Sequence, residues 1–113
     1  MKRLSGLFLL AAISLGCGSG AGSPLGAPSN LAAAPLTGAA HLTWSDNSSA
    51  ETMFMIERKD PGGQFVNAYT VTFDITQYHD AKVTTGSTYS YRVRAMSDSG
   101  ASEYSNEATV TIK

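Results

Sequence analysis

Chemistry in this chain would have to come from one thiol, two imidazoles and a scatter of carboxylates and hydroxyls. The histidines, His41 and His79, lie far apart in the sequence, and a shared metal would need them and a third ligand to converge. Without a visible cluster they are expected to be surface residues and no metal site is expected. Asp74, Asp80 and Asp98 fall in loop-like stretches, where short acidic side chains bond their own backbone to form turns, so they are expected to shape turns and not to hold calcium. No serine sits in a Gly-x-Ser-x-Gly elbow or has an evident histidine partner. Pro61, Gly62 and Gly63 read as a hairpin turn and not as a phosphate-binding loop. The expectation is a protein with no catalytic residues, no cofactor and no enzymatic activity.

Binding residues are the next possibility. Tyr69, Phe73 and Tyr104 stand outside the expected core pattern, which makes them the candidate partner surface. Exposed rings of this kind can stack on sugars or pack against another protein. Asn47, Ser48 and Ser49 form a glycosylation sequon, read as coincidental given the bacterial type of leader described next.

Cys17 is the only cysteine of the 113 residues and cannot close an internal disulfide. It directly follows a segment in which Lys2 and Arg3 precede the apolar run Leu7 to Leu15, the pattern of an export signal over residues 1–16. The run is too short to span a bilayer, which takes roughly 20 apolar residues. Ile13, Ser14, Leu15, Gly16 and Cys17 together resemble the lipobox of bacterial lipoproteins, although Ser14 and Leu15 hold the family's Leu and small-residue places in swapped order. The resemblance implies that Cys17 is the lipid attachment site and the first mature residue, with a diacylglyceryl group on sulfur and an acylated amino terminus. The acyl chains would be the membrane partner, since each buried methylene contributes about 0.8 kcal/mol and two or more chains hold a small protein durably. Gly18 is not the aspartate that retains such proteins at an inner membrane. The expected location is therefore outer membrane or cell surface.

Loss of residues 1–16 removes Lys2 and Arg3 and leaves six basic against nine acidic residues, a net charge of −3. A mildly acidic chain lacks the basic surface that nucleic acid requires, so no nucleic-acid partner is expected. Residues 17–26 are, after Cys17, Gly, Ser and Ala with Pro24 and Leu25. They read as a flexible tether with a reach of about 17 Å.

The remainder, residues 27–113, must position everything else. The whole chain, 42% hydrophobic and 15% charged, has a globular composition, and no helical period occurs in this part of it. Tyr89 to Ala95 alternates strictly, so Tyr89, Tyr91, Val93 and Ala95 face inward while Ser90, Arg92 and Arg94 face water. Leu31 to Leu36 reads as an edge strand because Pro35 removes a ladder donor. Ala40, Leu42 and Trp44 share one face, with Trp44 as the centre of the core. Further strands are expected over Met53 to Lys59, with Phe54 and Ile56 inward, and over Phe65 to Val71, Ile75 to Tyr78 and Glu103 to Ile112. Seven short strands at this spacing predict an all-β antiparallel sandwich.

The motifs carry a resemblance as well. Leu42 to Asn47, Phe54 to Arg58, Gly86 to Ala95 and Tyr104 to Asn106 resemble, in order, the second, third, sixth and seventh strands of a bacterial fibronectin type III domain. That resemblance implies the seven-stranded immunoglobulin-like sandwich over residues 27–113. It makes Tyr89 a tyrosine corner, bonded to backbone near Val83 or Thr84, in a turn loosened by Thr85 where the family usually has Pro. Ser97, Asp98, Ser99 and Gly100 stand where animal adhesion domains carry Arg-Gly-Asp, so that mode of receptor binding is not expected. Trp44, Tyr89 and Tyr91 are the structural core residues of this reading. The resulting expectation is a non-catalytic, lipid-anchored interaction or spacer module with an unknown protein partner. The alternative is a carbohydrate-binding accessory of an extracellular polysaccharide-degrading system, with a polysaccharide as partner.

Overall fold

The computed structural model describes residues 25–113. The signal segment, Cys17 and all of the expected tether except Leu25 and Gly26 lie outside the described residues. Leu25 already packs against the core, and the Gly26 carbonyl accepts a hydrogen bond from Ser48 Oγ at 3.1 Å. The folded body thus includes two residues assigned to the tether.

Eight β segments form two antiparallel sheets and no helix is present among the described residues. They are β1 (Ser29–Leu36), β2 (Ala39–Ser45), β3 (Met53–Lys59), β4 (Phe65–Thr72), β5 (Gln77–Asp80), β6 (Thr88–Ser97), β7 (Gly100–Ala101) and β8 (Ala108–Thr111). One sheet runs β1-β2-β5, and the other runs β4-β3-β6 with β7 and β8 both paired to β6. The sandwich is as the alternation predicts, and β1 is an edge strand.

Burial alternates along each strand as the side-chain period of two requires. Leu31, Ala40, Leu42 and Trp44 meet Phe54, Ile56, Tyr89, Tyr91, Val93 and Ala95 across the interior, with Val110 and Ile112 closing one side. Trp44 contacts Phe54 edge to face at 5.7 Å between ring centroids, an arrangement worth about 0.5–1.5 kcal/mol beyond area burial. Its buried Nε1 has no acceptor, so packing alone holds the ring. The Tyr89 hydroxyl accepts from Thr84 N at 2.9 Å. Thr85 does not loosen that turn, because its hydroxyl donates to Lys113 O at 3.1 Å while Gly86 N donates to Ile112 O at 2.8 Å.

Three expectations need correction. Gln77–Asp80 forms the fifth strand in place of Ile75 to Tyr78; Asp74, at φ 64° in the left-handed region, turns the chain and delays the strand. The single last strand from Glu103 is also absent. Between β7 and β8 the chain runs along β6 but replaces part of the ladder with hydroxyls. Ser102 donates its N–H to Ala95 O at 2.8 Å and accepts from Ala95 N on Oγ at 2.9 Å. Ser105 repeats this on Val93 at 2.7 and 3.0 Å. Asn106 then clasps both backbone groups of Leu31, accepting from N at 2.9 Å and donating to O at 3.0 Å, which joins this segment to the first sheet.

The third correction concerns Asp80. It is not a solvated turn residue but the most buried carboxylate, only 1% exposed at the end of β5. Oδ1 accepts from Tyr69 Oη at 2.7 Å and Lys82 N at 3.0 Å, and Oδ2 accepts from Tyr91 Oη at 2.7 Å and Arg58 Nη1 at 2.9 Å. Arg58 lies on β3, Tyr69 on β4 and Tyr91 on β6, so one carboxylate of the first sheet is held by three strands of the second. Burial would raise its pKa, but the bonds from Tyr69, Tyr91, Lys82 N and Arg58 outweigh burial and hold it below the usual carboxylate value. Burial and the bond to Asp80 push the Tyr69 hydroxyl up to about 12.

Removing one partner of a buried, hydrogen-bonded charge costs about 3–5 kcal/mol. Asp80→Asn should therefore lower unfolding free energy by that amount in urea titration, with the sandwich retained if it folds. The Asp80 contribution is present above the ordinary aspartate value of 3.8 and fades as pH falls through the lower folded-state value. Stability of the wild type should fall more steeply in acid than that of Asp80→Asn, whose acid limb lacks this group.

Candidate functional site

The three expected partner-surface rings do not share a plane. Tyr69 is turned inward, stacked on Tyr78 at 4.5 Å between centroids and bonded to Asp80. The cause is a β-bulge. Glu57 pairs with Asn67 and Ile56 with Tyr69, so Ala68 is an extra residue that shifts the phase of β4. Counting by twos from Phe65 puts Tyr69 outside; the bulge puts it inside. Phe73 is 59% exposed but stands alone beyond the end of β4. Tyr104 lies half-buried on the outer face of the second sheet, with the Arg92 and Arg94 guanidinium groups against its ring.

That outer face is the most elaborated surface of the body. The alternation that buries Phe54, Ile56, Tyr91 and Val93 turns Met53, Met55, Glu57 and Lys59 of β3 and Arg92, Arg94 and Met96 of β6 outward. Glu57 and Arg92 are direct cross-strand partners, as are Met55 and Arg94. The Arg92 guanidinium lies 3.8 Å from the Tyr104 centroid and 4.3 Å from that of Phe65, sandwiched between two rings. Lys59 Nζ adds a contact on Phe65 at 5.3 Å and Arg94 one on Tyr104 at 4.9 Å. The result is a ladder of alternating cations and rings, each rung worth about 0.5–1 kcal/mol or more where water is excluded.

Glu57 fixes the ladder. It is 5% exposed, its Oε1 accepts from Arg92 Nε at 2.9 Å and pairs with Nη2 at 2.8 Å, and its Oε2 accepts from Tyr104 Oη at 2.7 Å. Burial raises its pKa, but Tyr104, Arg92 and the nearby charge of Arg94 outweigh that and lower it. Arg94 differs from Arg92. It has no salt bridge, and its buried Nε has no hydrogen-bond partner. Beside it, Met55, Asn67, Ala68, Tyr69 and Thr70 line a shallow depression of about 180 Å³ opened at the bulge.

Two other groupings stand elsewhere. His41 and His79, remote in sequence, are direct partners across β2 and β5 with ring centroids 6.1 Å apart. Sequence spacing could not reveal this, because register decides it. Asp46, Glu51 and Asp74 bring one carboxylate oxygen each within 4.8 Å of one another. Glu51 is buried, with its pKa raised by desolvation and by Asp46, while its Oε2 accepts from Asp74 N at 3.2 Å. Among the described residues this is the group with three metal-type ligands, and Asp80 and Asp98 are not in it.

Glu57→Gln should weaken the Arg92 and Tyr104 bonds and cost about 1.5–3 kcal/mol of stability, the range for hydrogen bonds to a charged group. A double-mutant cycle with Arg92→Ala, read by chemical denaturation, should return a favourable coupling. Independent, additive losses would show that the ladder does not act as one unit.

Comparison with known proteins agrees with the geometry. The fibronectin type III domain model matches residues 26–111. No curated protein matches the chain. Among solved structures, an Fn3-like protein from Clostridium thermocellum is similar at 28% identity and a TM-score of 0.67, covering 80% of this chain and 96% of that one. A β-1,2-glucanase from Parabacteroides distasonis is similar at 20% identity and a TM-score of 0.70, with 78% of this chain matching 12% of the enzyme. A pectate lyase, Pel3 from Pectobacterium carotovorum, is similar at 19% identity and a TM-score of 0.62 over 71% of this chain and 26% of that one. With its two-sheet topology, its tyrosine corner and a family model spanning the described body, the chain belongs to the fibronectin type III family.

Proposed function

We propose that this protein is a non-catalytic interaction module, exported and held at the cell envelope by lipid on Cys17, whose working surface is the outer face of the second sheet. The observation that carries the interaction reading is the cation and ring ladder. Lys59, Phe65, Arg92, Tyr104 and Arg94 form an ordered, partly desolvated surface on side chains that the core does not need.

The anchoring reading is supported by the sequence from Lys2 to Cys17, with a charged start, a short apolar run and a small residue before a lone cysteine. No helix among the described residues is long and apolar enough to cross a membrane. A lipid on Cys17 would keep the sandwich within a short tether of the surface.

The carbohydrate reading draws on the appearance of this fold within a glucanase and a pectate lyase. Its physical requirement is a set of open ring faces for sugar stacking. Tyr69 is packed inward, Tyr104 is covered by two guanidinium groups, and Phe73 is a single ring. Protein docking fits these side chains better.

Mass spectrometry of the exported protein should find Cys17 as an acylated amino-terminal residue, and Cys17→Ser should move the protein from the membrane to the soluble fraction. An unmodified Cys17, or unchanged fractionation of the variant, would overturn the anchor.

A further inference from the structure

Resting on the interaction-module reading, we propose that the outer face of the second sheet takes an extended acidic peptide segment of a partner protein, with Arg94 as the carboxylate receptor and the Met55 depression as the apolar subsite.

Charge complementarity is the first support. Residues 25–113 carry six basic and nine acidic side chains, yet the outward positions of β3 and β6 hold Lys59, Arg92 and Arg94 against the single carboxylate Glu57. Glu57 is already saturated by Arg92 and Tyr104. Arg94 thus presents a charge with no salt bridge, which Glu57 feels only through space, on a guanidinium whose Nε is buried and unbonded. Arg94 is only partly buried as a residue, and an incoming carboxylate meets its guanidinium with a charge-assisted bond.

Geometry supplies the rest. Arg94 pairs with Met55 across β6 and β3, and Met55 pairs with Thr70 across β3 and β4. The depression spans β3 and β4 and so lies between one and two strand spacings from Arg94, about 5–10 Å. In an extended peptide rising about 3.3 Å per residue, side chains two positions apart share a face at about 7 Å, within that range. Met53, Met55 and Met96 flank the track, and flexible thioethers adapt to varied apolar partners. Sugars are disfavoured because guanidinium groups already cover the Tyr104 face.

The test is titration of the isotopically labelled full chain in detergent micelles with a short synthetic peptide carrying Glu and Leu two positions apart, followed by amide chemical shifts. Wild type should show shifts confined to β3, β4 and β6. Arg94→Gln, which breaks no hydrogen bond of the fold, should weaken binding at least about tenfold. Met55→Glu should do the same by repulsion and blockage. Equal binding by Arg94→Gln, no binding by wild type, or an equal response to polygalacturonate would each overturn the proposal. Cross-linking in envelope preparations separates this from the parent reading. A partner captured equally by wild type and Arg94→Gln overturns the Arg94 site and keeps the module, whereas no partner with either overturns both.

Discussion

One carboxylate sets the constraint from which the rest of the sandwich follows. Asp80 is buried as an ion, and an ion in a low-dielectric interior is tolerated only when every lone pair is met. Four donors meet it: two tyrosine hydroxyls, one backbone amide and one guanidinium. Each donor's strand must therefore arrive at a fixed height and angle. Apolar contacts such as Trp44 on Phe54 supply adhesion without direction, and many registers of two greasy sheets would bury similar area. The Asp80 cluster admits only the register in which Arg58, Tyr69 and Tyr91 converge. Such a cluster adds specificity of alignment more surely than it adds net stability.

The bulge at Ala68 belongs to the same constraint. Without the extra residue, Tyr69 would point to solvent and Oδ1 would lose its hydroxyl donor. With it, Tyr69 joins Tyr78 and Asp80 inside, while Phe65 remains outside to sandwich Arg92 against Tyr104. One inserted residue thus serves both faces of the sheet. It completes the interior polar cluster and opens the depression next to Met55 on the exterior.

Much of this fold was legible because period two is a local signal. Tyr89 to Ala95 and Ala40 to Trp44 reveal their inward faces without knowledge of any partner strand. What was illegible depends on register or on side chains acting as backbone. The bulge inverts Tyr69, and nothing local in Phe65 to Thr72 marks Ala68 as extra. Ser102 and Ser105 read as polar loop or strand residues, yet their hydroxyls stand in for carbonyls on β6 and split the last strand. The pairing of His41 with His79 and the approach of Asp46, Glu51 and Asp74 arise only after the chain folds. The leader and Cys17 were read from order and composition alone, and that part of the chain lies outside the described residues.

The two arginines of β6 show how a strand divides labour by position. Arg92 and Arg94 share a face, and alternation alone would treat them as equivalent solvated charges. Their cross-strand partners separate them. Arg92 faces Glu57, which neutralises it and aligns it between two rings, so its charge is consumed by the fold. Arg94 faces Met55, which shields the base of its side chain from water but offers no counter-charge. A methionine at position 55 in place of a second glutamate therefore leaves one cation without a salt bridge, held against the Tyr104 ring. For a body of overall negative charge, that single substitution of partner type is what turns a structural ladder into a surface with a preference for carboxylates.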